Sequence, residues 1–318
     1  MSAAPDPSAN AALIGDKRLL FNDDRSAFIM YQIQDRSWIA LGEPVGPPEA
    51  REALAWRFLE QCDRHDGRLA FYQVSHENLS LYVDMGLTLW KLGEEGRVYL
   101  PEFSVQGPER ADFRQARNRA TRLGASFDVI AREQLPTVMH ELRAISDTWL
   151  ARKRVAEKGF SLGKFSETYV SYFDCAVIRL GGNIVAFANL WPSEARRELS
   201  IDLMRYDDRA PKGTMDYLFV ELVGWAREHG YEWFNLGMAP LSGLEQHPLA
   251  PMWQKFGNAI FRYADEYYSF EGLRAYKEKF GPRWEARYLA CPGGLAFPRV
   301  LLDATILVSG GLSAVVRK

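Results

Sequence analysis

One stretch constrains this chain more than any other: a strand that runs into a tight loop, a helix and a second strand. Between Glu198 and Tyr206, Leu199, Ile201 and Leu203 alternate with Ser200, Asp202 and Met204, the two-residue period of a strand with one apolar face. Pro211 and Gly213 break the period, Thr214 is placed to cap a helix reaching about His229, and Gly230 is placed to stop it. Tyr231 to Leu236 then reads as a buried strand. Asp202 and Arg205, three residues apart, point to opposite faces of a regular strand, so they converge only at a bulge or a strand end, and bulges cluster beside active sites. A solvated Asp and Arg flanking a turn, or an ion pair between them, accounts for the same residues without chemistry.

The chain has 318 residues, enough for two domains that each bury a core. Its 47% hydrophobic and 25% charged residues are those of a globular protein, and a formal net charge of -2 offers no global field for nucleic acid or anionic lipid. Any basic surface must therefore be local. Cys62, Cys175 and Cys291 lie far apart with no metal-ligand spacing, the histidines form none either, and the expectation is a reduced, cytoplasmic compartment without a metal site. No apolar run reaches about 18 residues and no signal-like start is present, so the expectation is a soluble chain.

Taken in order, residues 1–14 read as a disordered leader rich in Ala, Pro and Ser. Strands are expected over 27–33, 37–41, 68–74 and 87–92, with a helix over 48–65 whose Leu54, Phe58 and Cys62 share a face, and a short helix over 77–85. The first domain is placed at 15–130. Within it, residues 108–124 carry Arg110, Arg114, Arg117, Arg119 and Arg122. As a helix, this segment puts Arg110, Arg114 and Arg117 on one side and lets Phe113, Ala116 and Leu123 pack. Such a run is either a solvated face or a track of guanidinium groups suited to phosphates. A second helix over 133–154, with Leu135, Val138, Leu142, Ile145 and Trp149 as its buried stripe, leads to a second domain at 131–292. That domain opens with a hairpin about Gly181-Gly182. A short helix over 271–281 places Arg274 and Lys277 three residues apart, and a strand over 284–291 follows. Residues 293–318 contain an apolar helix that packs on the body or lies against a membrane.

Six strings in order, Trp38-Ile-Ala-Leu-Gly-Glu-Pro-Val-Gly46, Phe71-Tyr-Gln-Val-Ser75, Lys91-Leu-Gly-Glu-Glu95, Glu157-Lys-Gly-Phe-Ser-Leu-Gly163, Asp202-Leu-Met-Arg205 and Asn235-Leu-Gly-Met-Ala-Pro-Leu241, resemble the catalytic part of the multiple peptide resistance factors. These are the aminoacyl-phosphatidylglycerol synthases, and the likeness over about residues 15–300 is greatest to the alanyl-specific members. The resemblance implies an α/β (α+β) fold of tandem GNAT-like domains joined by a basic helix, with the second domain catalytic. It implies transfer of an amino acid, alanine favoured and lysine possible, from aminoacyl-tRNA to the glycerol hydroxyl of phosphatidylglycerol. That reaction lowers negative membrane charge, confers resistance to cationic peptides and needs no cofactor. A multi-span membrane region is expected ahead of this part, which would act at the cytoplasmic face of the bacterial inner membrane.

On that reading Asp202 orients or deprotonates the hydroxyl, or holds the aminoacyl ammonium, and Arg205 and Lys277 bind lipid phosphate or the oxyanion. Tyr276 or Lys279 assists the leaving oxygen, Asn235 and Gly237 line the pocket, and the five arginines meet the tRNA acceptor stem. His247 has no partner that marks a catalytic base. The alternatives are a coenzyme A-dependent N-acetyltransferase, a peptidoglycan-bridge aminoacyltransferase and a non-catalytic RNA or membrane module. The first is disfavoured by a 209–215 loop with one glycine and a proline where a pyrophosphate cradle needs more glycine.

Overall fold

The structure, a computed structural model, describes residue 4 and residues 6–153, 156–244 and 270–311. The antiparallel strands β1 (Arg18–Phe21), β2 (Phe28–Gln34) and β3 (Ser37–Leu41) come first, with Asp35 at positive φ in the turn between the last two. Helix α1 (Pro48–Asp63) then crosses to β4 (Arg68–Ser75), which runs parallel to β3. Leu54, Phe58 and Cys62 form the buried side of α1, and the Phe58 ring packs on Tyr31 and Phe71. Helix α2 (Leu79–Asp84) and β5 (Thr88–Tyr99) follow.

The next stretch holds α3 (Ala111–Arg122), β6 (Ala125–Ile130), α4 (Met139–Lys153) and α5 (Glu167–Val170). Strands β7 (Cys175–Leu180), β8 (Asn183–Pro192) and β9 (Glu198–Tyr206) continue the antiparallel order from β6. The β7–β8 turn is made by Gly181 and Gly182, both at positive φ as that hairpin requires. Helix α6 (Thr214–Glu228) crosses to β10 (Trp233–Pro240), parallel to β9. The plan of the first stretch recurs here: an antiparallel run, then a helix leading to a parallel neighbour. This is the α/β, GNAT-like organisation expected of both halves.

Helix α7 (Phe270–Glu278), β11 (Arg283–Cys291) and α8 (Ala296–Val308) complete the described chain. Strand β11 is antiparallel to both β4 and β5. This pairing moves the domain boundaries away from the expected 15–130 and 131–292. The compact units are Met1–Gly15 with Val98–Asn235, and Asp16–Arg97 with Leu236–Lys318. The facing edges of β4 and β5 need backbone partners, and residues 283–291 supply them. The expected tail helix belongs to that unit too: Phe297 stacks on Trp90 at 4.1 Å, and the buried Asp303 accepts a hydrogen bond from Ser37 at 2.6 Å. Among the described residues, no helix is long and apolar enough to cross a membrane.

Three further expectations change. Residues 7–14 of the supposed leader form a 3-10 helix whose Ala9, Asn10, Ala11 and Ile14 are buried, and Asn10 donates to the Pro192 carbonyl at 2.9 Å. Helix α3 is an integral part of its unit rather than a connector, packing on α6, with Phe113 and Ala120 buried and Leu123 half exposed. Thr214 does not cap α6. Gly213, at φ +91°, precedes the helix, and the Thr214 hydroxyl donates to the Pro211 carbonyl at 2.6 Å, closing the turn before it.

Candidate active site

In the unit containing residues 98–235, the ladder between β8 and β9 slips at Asp202. Ala188 pairs with Met204 and Leu190 with Ile201, so Asp202 and Leu203 together face the single residue Asn189. This is a β-bulge, two on one being its defining count, but Asp202 and Arg205 turn from it to different partners. The displaced Leu203 N–H is satisfied by the Asn189 side-chain oxygen at 2.8 Å. Asn189 also directs its amide at the Tyr169 hydroxyl at 3.4 Å, and the Trp191 indole N–H donates to the same oxygen at 3.0 Å. With both donors in place, the Tyr169 O–H points at Asp202, donating to Oδ2 at 2.5 Å.

The second carboxylate oxygen of Asp202 accepts the Gly163 N–H at 2.8 Å. A Cβ at residue 163 would lie 1.8 Å from Oδ2, so only glycine permits this approach. Burial drives the Tyr169 phenol far above its usual pKa, and the Asp202 charge and hydrogen bond add to the rise. Tyr169 therefore remains a proton donor to Asp202 at every working pH, and it fixes the carboxylate's direction without competing for its charge. Asp202 itself is partly exposed and can reach a reactant.

Arg205 behaves differently. Its side chain is buried and grips Glu157 with two hydrogen bonds, at 2.9 and 2.6 Å, and it also donates to Ser146 and lies over the Trp149 ring at 5.3 Å. Glu157 in turn accepts the Phe165 N–H at 3.1 Å. The guanidinium thus ties the loop carrying Gly163 to α4 and β9, and the expected phosphate or oxyanion contact gives way to a brace. Asn235 is also interior: its amide donates to Glu198 at 2.6 Å and its carbonyl accepts from Ser200 at 3.1 Å, which anchors β10 rather than lining a pocket.

The five arginines divide by environment. Arg110 lies over the rings of Phe103 and Phe113, Arg114 donates to the Val105 and Gly107 carbonyls, and Arg117 pairs with Glu221 of α6 at 2.6 Å. Arg119 and Arg122 are exposed and, among the described residues, reach only the carbonyls of Lys212 and Asn118, both at 3.3 Å. At the start of α6, Arg209 is committed to Asp207 and the first helical turn carries Asp216. A carboxylate there opposes the helix-terminal field that would hold a pyrophosphate.

In the unit containing residues 236–311, Lys277 and Gly237 come together. The Lys277 ammonium is buried and donates to the carbonyls of Gly237 and Met238, each at 2.9 Å. Gly237 turns there with φ +76°. Burial pulls the Lys277 pKa down to about 7, and Glu95 only partly opposes this. A neutral amine fills both carbonyls with its two N–H groups and keeps a lone pair. Tyr276 packs edge-on against Phe280, and the Lys279 amine lies 5.2 Å from the Tyr276 ring centre. His247 lies outside the described residues.

Sequence reasoning missed the carboxylates facing this helix. Glu94 accepts from Lys91 at 2.8 Å, from Ser242 at 2.8 Å and from Arg274. Burial pushes the Glu94 carboxyl up, but these three hydrogen bonds outweigh it and hold the group below its usual range. Glu95 pairs with Arg287 of β11. Tyr169, Gly163 and Glu157 were equally without assigned roles. The only signal for Glu94, Glu95, Glu157 and Gly163 was their place within the strings that carry the resemblance, and Tyr169 lay outside all six.

Residues 1–291 match the family model described as phosphatidylglycerol lysyltransferase, C-terminal. A phosphatidylglycerol lysyltransferase of Bacillus subtilis (strain 168) is 38% identical over 283 residues, covering 89% of this chain and 33% of that protein. The corresponding protein of Staphylococcus aureus (strain MRSA252) is 35% identical over 276 residues, covering 86% and 33%. The chain thus spans about a third of the length of the curated relatives it matches. Among solved structures, the C-terminal domain of a protein from Agrobacterium fabrum assigned as a lysylphosphatidylglycerol synthetase superposes with a TM-score of 0.88 at 44% identity, over 97% of this chain and 94% of that one. The L-PGS structure from Bacillus licheniformis gives 0.82 at 37% identity, over 96% and 98%. FemX shares the fold at a TM-score of 0.60 and 10% identity, over 95% of this chain and 96% of that one.

Proposed function

Because the chain belongs to the family of phosphatidylglycerol lysyltransferase C-terminal domains, we propose that it moves an aminoacyl group from aminoacyl-tRNA to the glycerol hydroxyl of phosphatidylglycerol. The observation that carries this reading is the Asp202 carboxylate, partly exposed on a bulge and aimed by Tyr169 and Gly163. In the proposed step Asp202 accepts the proton of the lipid hydroxyl as its oxygen attacks the ester carbonyl. The tetrahedral intermediate then collapses, and the ribose oxygen of tRNA leaves with a proton. One ester is exchanged for another, so the step calls for no ATP. General-base help of this kind contributes roughly 10²–10⁴-fold.

Arg119 and Arg122 are the two guanidinium groups we assign to the tRNA backbone, since the other three are held by rings, carbonyls or Glu221. The full-length enzyme is proposed to work at the cytoplasmic face of the inner membrane, with a membrane region preceding this part. Overall likeness to the alanyl-specific members favours alanine and the names of the relatives favour lysine. Transfer of labelled alanine and of labelled lysine from charged tRNA to phosphatidylglycerol in detergent micelles decides between them. Labelled lipid from either tRNA supports the proposal, whereas no labelled lipid combined with saturable coenzyme A binding replaces it with acetyl transfer.

Lys277 enters through its own titration. An amine that loses its charge near pH 7 is a poor phosphate anchor and a good proton carrier, so proton exchange is the role we assign to it. The linkage has a definite sign. With a folded pKa near 7 against 10.5 for an ordinary lysine, the unfolded chain binds more protons between those values, so stability rises with pH across that window. Below about pH 7 the burial penalty is fully present. Urea unfolding at pH 7.5 and 9.5 should show the wild type gaining markedly more stability, or losing markedly less, than Lys277→Met, because the buried cysteines, whose raised pKa values act in the opposite sense, are common to both. Equal changes in both would remove Lys277 as the titrating group.

A further inference from the structure

A cavity of about 260 Å³ in the unit containing residues 98–235 has four aromatic residues in its wall: Tyr172, Phe173, Trp225 and Tyr231. None of its lining residues belongs to the Asp202, Tyr169 and Gly163 network. The volume lies just below the roughly 300 Å³ at which pockets for drug-sized ligands begin, so the occupant is small. Tyr172 is 45% exposed, whereas its neighbour Phe173 is 4% exposed. One face of the Trp225 ring stacks on His229 at 4.0 Å.

The charges in the lining are Arg132, Glu133 and Asp174. Arg132 and Glu133 pair at 2.8 Å, each well exposed, and neutralise one another. Asp174 stands at the entrance to β7. Its Oδ1 accepts the Arg132 N–H at 2.9 Å, and its Oδ2 takes no hydrogen bond from any described residue. Burial raises the Tyr231 phenol pKa; Arg196 opposes this, and Asp174 adds a smaller rise. Arg196 donates to the His229 carbonyl at 2.8 Å and does not line the cavity. The lining therefore carries one more carboxylate than guanidinium, beside four aromatic residues.

We propose that this cavity binds a small organic ammonium ion, its charge met by the Asp174 carboxylate and its methyl or methylene groups by Tyr172, Trp225 and Tyr231. Aromatic faces attract such cations through the ring quadrupole, more strongly when the cation is desolvated. An anion is disfavoured because Arg132 is already paired, and a purely apolar ligand would leave Asp174 desolvated and unmet.

The test is saturation-transfer NMR on the protein in sodium chloride buffer, with choline chloride as the probe and 3,3-dimethylbutan-1-ol as its uncharged isostere. Saturable binding of choline and at least tenfold weaker binding of the alcohol are expected. Asp174→Asn, which keeps an oxygen for the Arg132 N–H, should weaken choline at least tenfold. Tyr172→Ala, a change at a half-exposed position that the core does not need, should weaken it about two- to fivefold. Choline bound no better than the alcohol, unaltered binding in Asp174→Asn with Tyr172→Ala, or no saturable binding would each overturn the proposal. None of these readouts depends on transfer activity, so this site and the Asp202 reading stand or fall separately.

Discussion

Asp202→Asn should reduce aminoacyl transfer by roughly 10²–10⁴-fold while costing less stability than Asp202→Ala. The amide oxygen still accepts one hydrogen bond, from Tyr169 or Gly163, so the loop and strand stay together. What disappears is the capacity to take up a proton. Asp202→Ala should be worse in a second respect, because the Tyr169 hydroxyl, buried at 1% exposure, then loses its acceptor. An orphaned buried donor costs about 1–3 kcal/mol. Rates from the micelle assay, set beside urea midpoints for both variants, separate the chemical effect from the structural one. A fully active Asp202→Asn would remove the base from the proposed step and leave Asp202 as a tether for the 157–165 loop.

Arg205→Ala should be the more damaging change to the fold. Removing one member of a buried ion pair costs about 3–5 kcal/mol, because the other charge is left without its partner. Glu157 keeps 29% of its side-chain exposure against 4% for Arg205, so water recovers part of the loss and the lower end, about 3 kcal/mol, applies. Arg205→Lys should regain some stability and little geometry, since one ammonium cannot reproduce two parallel hydrogen bonds. Transfer should fall in both variants through displacement of Gly163, the donor that aims Asp202. A variant lacking Arg205 that unfolds at the wild-type urea concentration would contradict the bracing role.

The elements were legible wherever one face of a strand or helix repeats. Leu199, Ile201 and Leu203, or Leu54, Phe58 and Cys62, announce their partners by spacing alone, and the two glycines at 181 and 182 announce a hairpin. The bulge at Asp202 was only one of the options the spacing left open, since Asp-x-x-Arg needs a bulge or a strand end only if the two residues converge, and they do not. The bulge serves a different end: it aims Asp202 at Tyr169, while Arg205 turns to Glu157. Tyr169 is 33 positions from Asp202 and Glu157 is 48 from Arg205, separations at which no period links residues. The domain boundary failed for the same reason. Nothing in the sequence of β11 says that its partners lie near residues 72 and 90. The leader was misjudged by composition, since alanine and proline serve a tight buried turn as readily as a loose chain.

The insertion of β11 between β4 and β5 bears on how the chain emerges from the ribosome. Residues 98–235 are synthesised without interruption and, with 1–15 already made, complete their compact unit. Residues 16–97 must wait for 283–291, and at ~5–20 residues per second that delay is roughly 10–40 s. Throughout it the β4 and β5 edges offer unpaired N–H and C=O groups to any strand that comes by. Strands closed by such distant residues form slowly, so nascent chains stalled before residue 283 are the species that holding chaperones must protect.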